Sequence, residues 1–349
     1  MIDHETLKEV MEIGAARRAD RRRFIKMASA GIAAAGGLSM MSACGSDPQP
    51  NPASPTPSPA AISPVQSDVD ILNFALSLEY LEGNYYSFAA FGQGPNSTLL
   101  SGTGTQGAVV GGRQVAFADP TVASYAREIA QDEISHILFL RGQLGSAAVA
   151  QPAINIDGSA TGAFTAAARA AGVVGATGTF DPYASDDNWL LGGFLLTDVG
   201  VTAYKGSASL ISSPVILDAA AGILATEAYH SGLIRTLLYR RGVATPTDRT
   251  YTNQIATFRD SIDGNITAAG PPQIYANDDQ GVSAITTVTA NGIVYPASNI
   301  VPTDANSIVF GRTAGNVLNI VYGTKASVTV GGFFPAGING NIKTSTANA

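Results

Sequence analysis

Two histidines limit what this chain can fold into. Three occur in all, His4, His136 and His230. The last two each stand three residues after a glutamate, in Glu133-Ile134-Ser135-His136 and Glu227-Ala228-Tyr229-His230. Residues i and i+3 of a helix share one face, so each pair can present a carboxylate and an imidazole to one point. Beyond residue 44 the glutamates are Glu79, Glu82, Glu128, Glu133 and Glu227, and all lie in segments with helical periodicity. Oxygen donors with limited nitrogen suit iron or manganese better than a thiolate-seeking metal. One cysteine in 349 residues excludes an intramolecular disulfide framework and a Cys-rich metal site. A net charge of −7 argues against nucleic acid, whose binding needs a basic face.

The periodicity predicts four long helices. The first is DVDILNFALSLEYLEGNYYSFAAF, capped by Ser67 or Asp68, with Ile71, Phe74, Ala75, Leu78, Leu81 and Tyr85 at helical spacing and Gly92 as its stop. The second opens at Asp119-Pro120 and ends near Gly145. The third spans Asn188–Ile211, capped by Asp186 or Asp187, and the fourth spans Pro214–Arg241. Each is long enough for about 36–42 Å of helix. A stretch of about forty residues between the second and third, with a short helix near Thr161–Ala171, can cross the length of a bundle. Two hairpins joined by such a crossover make a mainly α, antiparallel four-helix bundle. After Thr245 a short helix is expected near Tyr251–Ile262. Beyond Pro271 the runs AITTV, GIVYP, SIVFG, VLNIVYG and SVTVGGFF read as short strands, forming a small sheet or, the favoured reading, a collar on the bundle.

The first 44 residues read as an address. Seven basic and five acidic residues lie within residues 1–43, and the basic excess precedes a mildly apolar Ala/Gly-rich stretch. That stretch is a poor membrane-spanning helix. Arg21, Arg22, Phe24 and Lys26 resemble a twin-arginine export motif, and Met41-Ser42-Ala43-Cys44-Gly45 resembles a lipoprotein cleavage site whose cysteine is lipidated. The alternative for Cys44 is a buried free thiol. The Pro/Ser-rich segment after it is suited to an extended tether. The expected divisions are 1–44 signal, 45–66 linker, 67–245 bundle and 246–349 extension.

The run DVDILNFALSLEYLEGNYY, the later DVGVTAYKGSA and the two E-x-x-H helices resemble the ferritin-like superfamily, and within it exported proteins related to desiccation-associated proteins. The resemblance implies a dinuclear iron or manganese centre with one carboxylate from each of the first and third helices. Glu133 and Glu227 would bridge or bind terminally, and His136 and His230 would each cap one metal. On the first helix Glu79 and Glu82 compete. Glu79 stands seven residues before Tyr86, as the superfamily pattern asks, which leaves Glu82 solvated or behind the ligands. On the third helix Thr197 stands seven residues before Tyr204, where glutamate is expected. Asp198 next to it can substitute, or can form an exposed pair with Lys205. Tyr86 and Tyr204 either hydrogen-bond the ligand carboxylates or simply pack.

The resemblance further implies redox chemistry with oxygen or peroxide, ferroxidase-like or catalase-like. The alternative is a non-enzymatic envelope or desiccation-stress protein with a degenerate structural metal site. The expected partners are the twin-arginine export machinery and, through Cys44, a membrane; a homo-oligomer stays open. The expected location is the periplasm or cell envelope.

Overall fold

The computed structural model describes residues 67–264, 278–283 and 286–348. The signal, the linker and Cys44 lie outside them. Four long helices carry the fold: α1 (Asp68–Phe91), α2 (Pro120–Leu144), α4 (Asp186–Ala208) and α5 (Pro214–Ala244). Between α2 and α4 lies the short α3 (Ala163–Ala170). After α5 come α6 (Pro246–Asp263) and α7 (Ala314–Tyr322). The protein is mainly helical and its architecture is a ferritin-like bundle. None of the described helices is long and apolar enough to cross a membrane.

Local chemistry sets the helix ends. Ser67 and Asp70 form a capping box, and Gly92 adopts the left-handed conformation, φ 74°, that stops α1. Asp119 caps α2 and Ser213 caps α5, each followed by a proline at the first helical position. The cap of α4 is Ser185, whose hydroxyl accepts from the Asn188 N–H, and not Asp186 or Asp187. Asp186 has another task. Its carboxylate accepts the N–H groups of Ala118 and Asp119, at 2.9 Å each. The start of α4 therefore sits beside the start of α2. Likewise Asp68 accepts the N–H groups of Ser212 and Ser213, placing the start of α5 beside that of α1. With α2 and α4 starting at one end and α1 and α5 at the other, the crossover must travel the bundle's length.

That crossover and the C-terminal segment together enclose α1, and every residue from Ile71 to Ser87 is buried. β1 (Val109–Gly111) pairs in parallel with β2 (Ile154–Ile156), tying the α1–α2 loop to the crossover. Phe333 continues the wrap: its N–H donates to Val321 and its carbonyl accepts from Asn155. Asn341 reaches Asp70 at the start of α1, at 2.8 Å. A helix buried all round has no polar face to show, so its periodicity cannot reveal orientation.

The extension departs from its reading as strands. AITTV and GIVYP do contribute to an antiparallel hairpin of β3 (Thr286–Ala290) and β4 (Ile293–Ala297). VLNIVYG, however, lies in α7, capped by Thr313 and closed by Gly323 at φ 69°. A short apolar run is ambiguous between strand and helix, and here the two caps decide it. SIVFG and SVTVGGFF supply only isolated bridges. The described residues form one compact unit.

The join between bundle and extension is close. Gly206 of α4 packs on the backbone of Arg312, and a Cβ there would stand 1.8 Å from the Arg312 carbonyl oxygen. Gly206→Ala should therefore force the extension off α4 and destabilise the protein by about 2–3 kcal/mol or more, read as a lowered midpoint in denaturant unfolding.

Candidate metal centre

The centre is assembled from three helices. α2 turns Glu133 and His136 inward along the face that also buries Ala126, Ile129, Ala130, Ile137 and Leu140. α5 does the same with Glu227 and His230, and α1 contributes Glu79 and Glu82. All six are buried, Glu133 completely. Ligand atoms of Glu79, Glu133, His136 and Glu227 lie within 4.8 Å of one another. His136 Nδ1 is 3.2 Å from Glu79, 3.6 Å from Glu133 and 3.6 Å from Glu227. His230 Nδ1 is 3.0 Å from the other Glu133 oxygen. The two imidazole rings stand 6.2 Å apart with Glu133 between them.

Such a cluster is electrostatically strained. Burial pushes the Glu79 carboxyl up to about 7 and those of Glu82 and Glu227 well above the usual range, and neighbouring glutamates add to the rise for each. For Glu133 burial works in the same direction, but His136 and His230 outweigh it and hold the carboxyl well below its ordinary value. Burial also opposes charge on the histidines. Glu79 and Glu133 overcome it at His136, raising it to about 11, and Asp132 and Glu133 raise His230 to about 9.

The polar atoms left over fit a metal. Glu82 Oε2, both Glu133 oxygens, Glu227 Oε2 and His230 Nδ1 are buried without a hydrogen-bond partner. The 3.0 Å approach of His230 Nδ1 to Glu133 is thus a proximity without hydrogen-bond alignment, as expected of two atoms facing a common third point. Unpartnered buried carboxylate oxygens are costly unless a cation joins them.

The third helix contributes nothing charged to this cluster. Asp198, proposed above as a substitute ligand, is a correction. Its oxygens accept from Ser231 at 2.6 Å, Arg235 at 2.7 Å and Arg259 at 3.0 Å, and no pair with Lys205 forms. Burial opposes its charge, but Arg235 and Arg259 outweigh burial and hold the carboxyl below its ordinary value. The 100° step from Thr197 to Asp198 turns the carboxylate towards α5 and α6. Thr197 is also a correction, since its hydroxyl donates to the Gly193 carbonyl one turn back in its own helix. What α4 brings to the cluster is the Tyr204 hydroxyl and space at Gly200. A Cβ there would lie 2.7 Å from Glu227 Oε2 and 3.0 Å from Glu82 Oε1. Glu82 fills that room, so the fourth carboxylate comes from α1, three residues after Glu79. It is buried among carboxylates and not solvated. The i, i+3 spacing of Glu79 and Glu82 was a readable signal for this.

Around the cluster, Tyr204 donates a short hydrogen bond to Glu79 Oε1. Tyr86 is buried with its hydroxyl unpartnered and packs at Gly193. Asp132 was missed by the sequence reading. It accepts from His230 Nε2 at 3.0 Å while remaining partly exposed, which leaves Nδ1 to face Glu133. Its signal in the sequence was adjacency to Glu133.

Helices in this order, enclosing a Glu/His cluster, define a ferritin-like protein with a potential metal site. The model of the ferritin-like domain matches residues 67–240, and the chain belongs to that family. Desiccation-related protein PCC13-62 of Craterostigma plantagineum is 32% identical over 248 residues, which cover 71% of this chain and 75% of that protein. Ferritin-like catalase Nec2 of Nesocodon mauritianus is 27% identical over 286 residues, 79% of this chain and 85% of that protein. No solved structure matches significantly.

Two outcomes follow from these charges. Asp198→Ala takes the carboxylate partner from the buried Arg235 and leaves Arg259 with Asp279 alone, and should cost about 3–5 kcal/mol, while the folded fraction keeps the metal content of the parent protein on elemental analysis. For metal-free protein, Glu79 is raised from 4.5 to about 7 and His230 from 6.5 to about 9. A raised folded pKa gives stability that is present below the unfolded value and is lost as pH climbs through the folded one. Chelator-treated protein should therefore lose stability between about pH 4.5 and 9, first through Glu79 and then through His230, measured by urea unfolding across that window.

Proposed function

We propose that this is an exported metalloprotein whose Glu/His cluster holds two iron or manganese ions and performs redox chemistry with peroxide or oxygen. The observation that carries the reading is the set of unpartnered buried donor atoms shared by Glu82, Glu133, Glu227 and His230. Charge supports a pair of ions: the carboxylates of Glu79, Glu82, Glu133 and Glu227 with neutral histidines total −4, which two divalent cations balance. Glu133, between the two imidazoles, would help hold both ions. His136 and His230 would each hold one ion, with Glu79 beside His136 and with Glu82 and Glu227 meeting at Gly200.

The ions would supply a centre able to accept and return electrons, as disproportionation of peroxide to water and oxygen requires. The chain's own groups do the remainder. Tyr204 fixes Glu79 by donating to Oε1, and Asp132 orients His230 through Nε2. The surrounding apolar side chains of α1 and α4 keep bulk water from the carboxylates. The name of the Nesocodon relative favours the catalase form of this chemistry. A second reading, a structural metal site in a stress protein of the cell envelope, takes its support from the name of the Craterostigma relative and from the absence of an α4 carboxylate in the cluster. Export and a lipid anchor rest on Arg21, Arg22, Phe24, Lys26 and Cys44 in the sequence. They imply the twin-arginine machinery and a membrane as partners.

Elemental analysis of protein made in iron- or manganese-supplemented medium should find close to two ions per chain. Glu133→Ala should remove most of both. An oxygen electrode should record oxygen evolution from peroxide with the manganese-loaded parent and none with the variant. Metal content without any peroxide or oxygen turnover would favour the structural reading, and metal below about 0.3 ions per chain would reject both.

A further inference from the structure

A second group of carboxylates, three buried and Asp260 half-buried, lies where the extension meets α6, and it shares no residue with the Glu/His cluster. Asp260 and Asp263 lie in the last turn of α6, and Asp278 and Asp279 follow in the chain. One oxygen from each lies within 4.8 Å of the others. Arg312 reaches Asp263 at 2.7 Å and Asp278 at 3.3 Å, and forms a shorter contact with Asp279. Arg259 reaches Asp279 at 2.6 Å and shares Asp198 with Arg235. Fully ionised, these five aspartates and three arginines leave a net charge of −2 in a buried region.

Two observations point to a divalent cation. Asp278 is only 5% exposed, yet its Oδ2 has no hydrogen-bond partner. Asp260 and Asp263 occupy the C-terminal turn of α6, where the helix dipole disfavours anions and where α6 has no basic residue of its own.

We propose that Asp260, Asp263, Asp278 and Asp279 form a second cation site, of the calcium class, that fastens the extension to α6. Carboxylate oxygens alone make a hard donor set, unlike the mixed Glu/His set in the bundle. The donors come from a helix end and an irregular segment, and Arg312 occupies part of the surrounding sphere. That suits calcium, which tolerates irregular coordination, better than magnesium, which demands a regular octahedron. The competing account is a proton shared between Asp260 and Asp278, whose side chains are within hydrogen-bonding reach.

The test is thermal unfolding of chelator-treated protein at pH 8, titrated with calcium chloride and, separately, with magnesium chloride. Calcium at about a hundredfold above its Kd should raise Tm by about 5 °C, and magnesium should raise it less. The Asp260→Asn/Asp278→Asn variant removes two like charges, so without calcium it should melt no lower than the parent, and it should show no calcium shift. It leaves the Glu/His cluster intact, so a calcium shift that persists in the variant belongs elsewhere and overturns the proposal. No calcium shift in the parent overturns it equally, and a parent that is stabilised only by lowering the pH to 6 identifies the shared proton instead.

Discussion

The costliest arrangement in this molecule is the burial of Glu79, Glu82, Glu133 and Glu227 around two imidazoles. Carboxylates leave water only when other charges or hydrogen bonds replace its solvation. Here replacement is partial. Tyr204 serves Glu79, and the histidines serve Glu79 and Glu133, but several oxygens have no hydrogen-bond partner. The bundle is built so that these groups cannot escape. α1 is enclosed on every side, which denies Glu79 and Glu82 any route to solvent. Such a cluster is held by the surrounding packing, and a bound cation would turn its repulsion into cohesion.

Enclosing α1 is a task the four helices do not complete by themselves. The α1–α2 loop and the crossover cover it on one side, where the Tyr80 hydroxyl lies 2.9 Å from the Leu99 carbonyl and 3.2 Å from that of Val149. The extension adds Phe333 and the α7 residues Ile320 and Val321, which pack near Leu78 and Leu81. The extension in turn is held by guanidinium groups. Arg235 and Arg259 meet Asp198 from α5 and α6, and Arg312 meets Asp263. The aspartate of α4 thus ties the layers of the molecule together a turn away from the cluster. Ion pairs this buried are poor sources of net stability, but they specify one arrangement because any other leaves a charge alone.

Much of this was legible in advance. Ser67, Asp119, Gly92 and the proline pairs mark the helix ends because capping is a local, short-range interaction. The two E-x-x-H pairs bring their carboxylates and imidazoles to one face because 3.6 residues per turn leaves no other choice. The reading failed where a decision depended on the neighbours. Thr197 and Asp198 differ by one step around α4, and only the positions of Arg235 and Arg259, contributed from 37 and 61 residues away, decide where the aspartate turns. VLNIVYG misled for a different reason: its apolar content matches both a strand and a buried helix, so the flanking Thr313 and Gly323 carried the information.

The sequence by itself determined the four long helices, their order and the pairing of each histidine with a glutamate, since all of these follow from periodicity and capping within a few residues. Only the tertiary structure decided that the fourth carboxylate is Glu82 from α1 and that α4 contributes the absence of a side chain at Gly200. It also decided that Asp132 reaches across to His230. The physical reason is the same in each case. A carboxylate goes where space and a partner coincide, and neither is a property of its own stretch of chain.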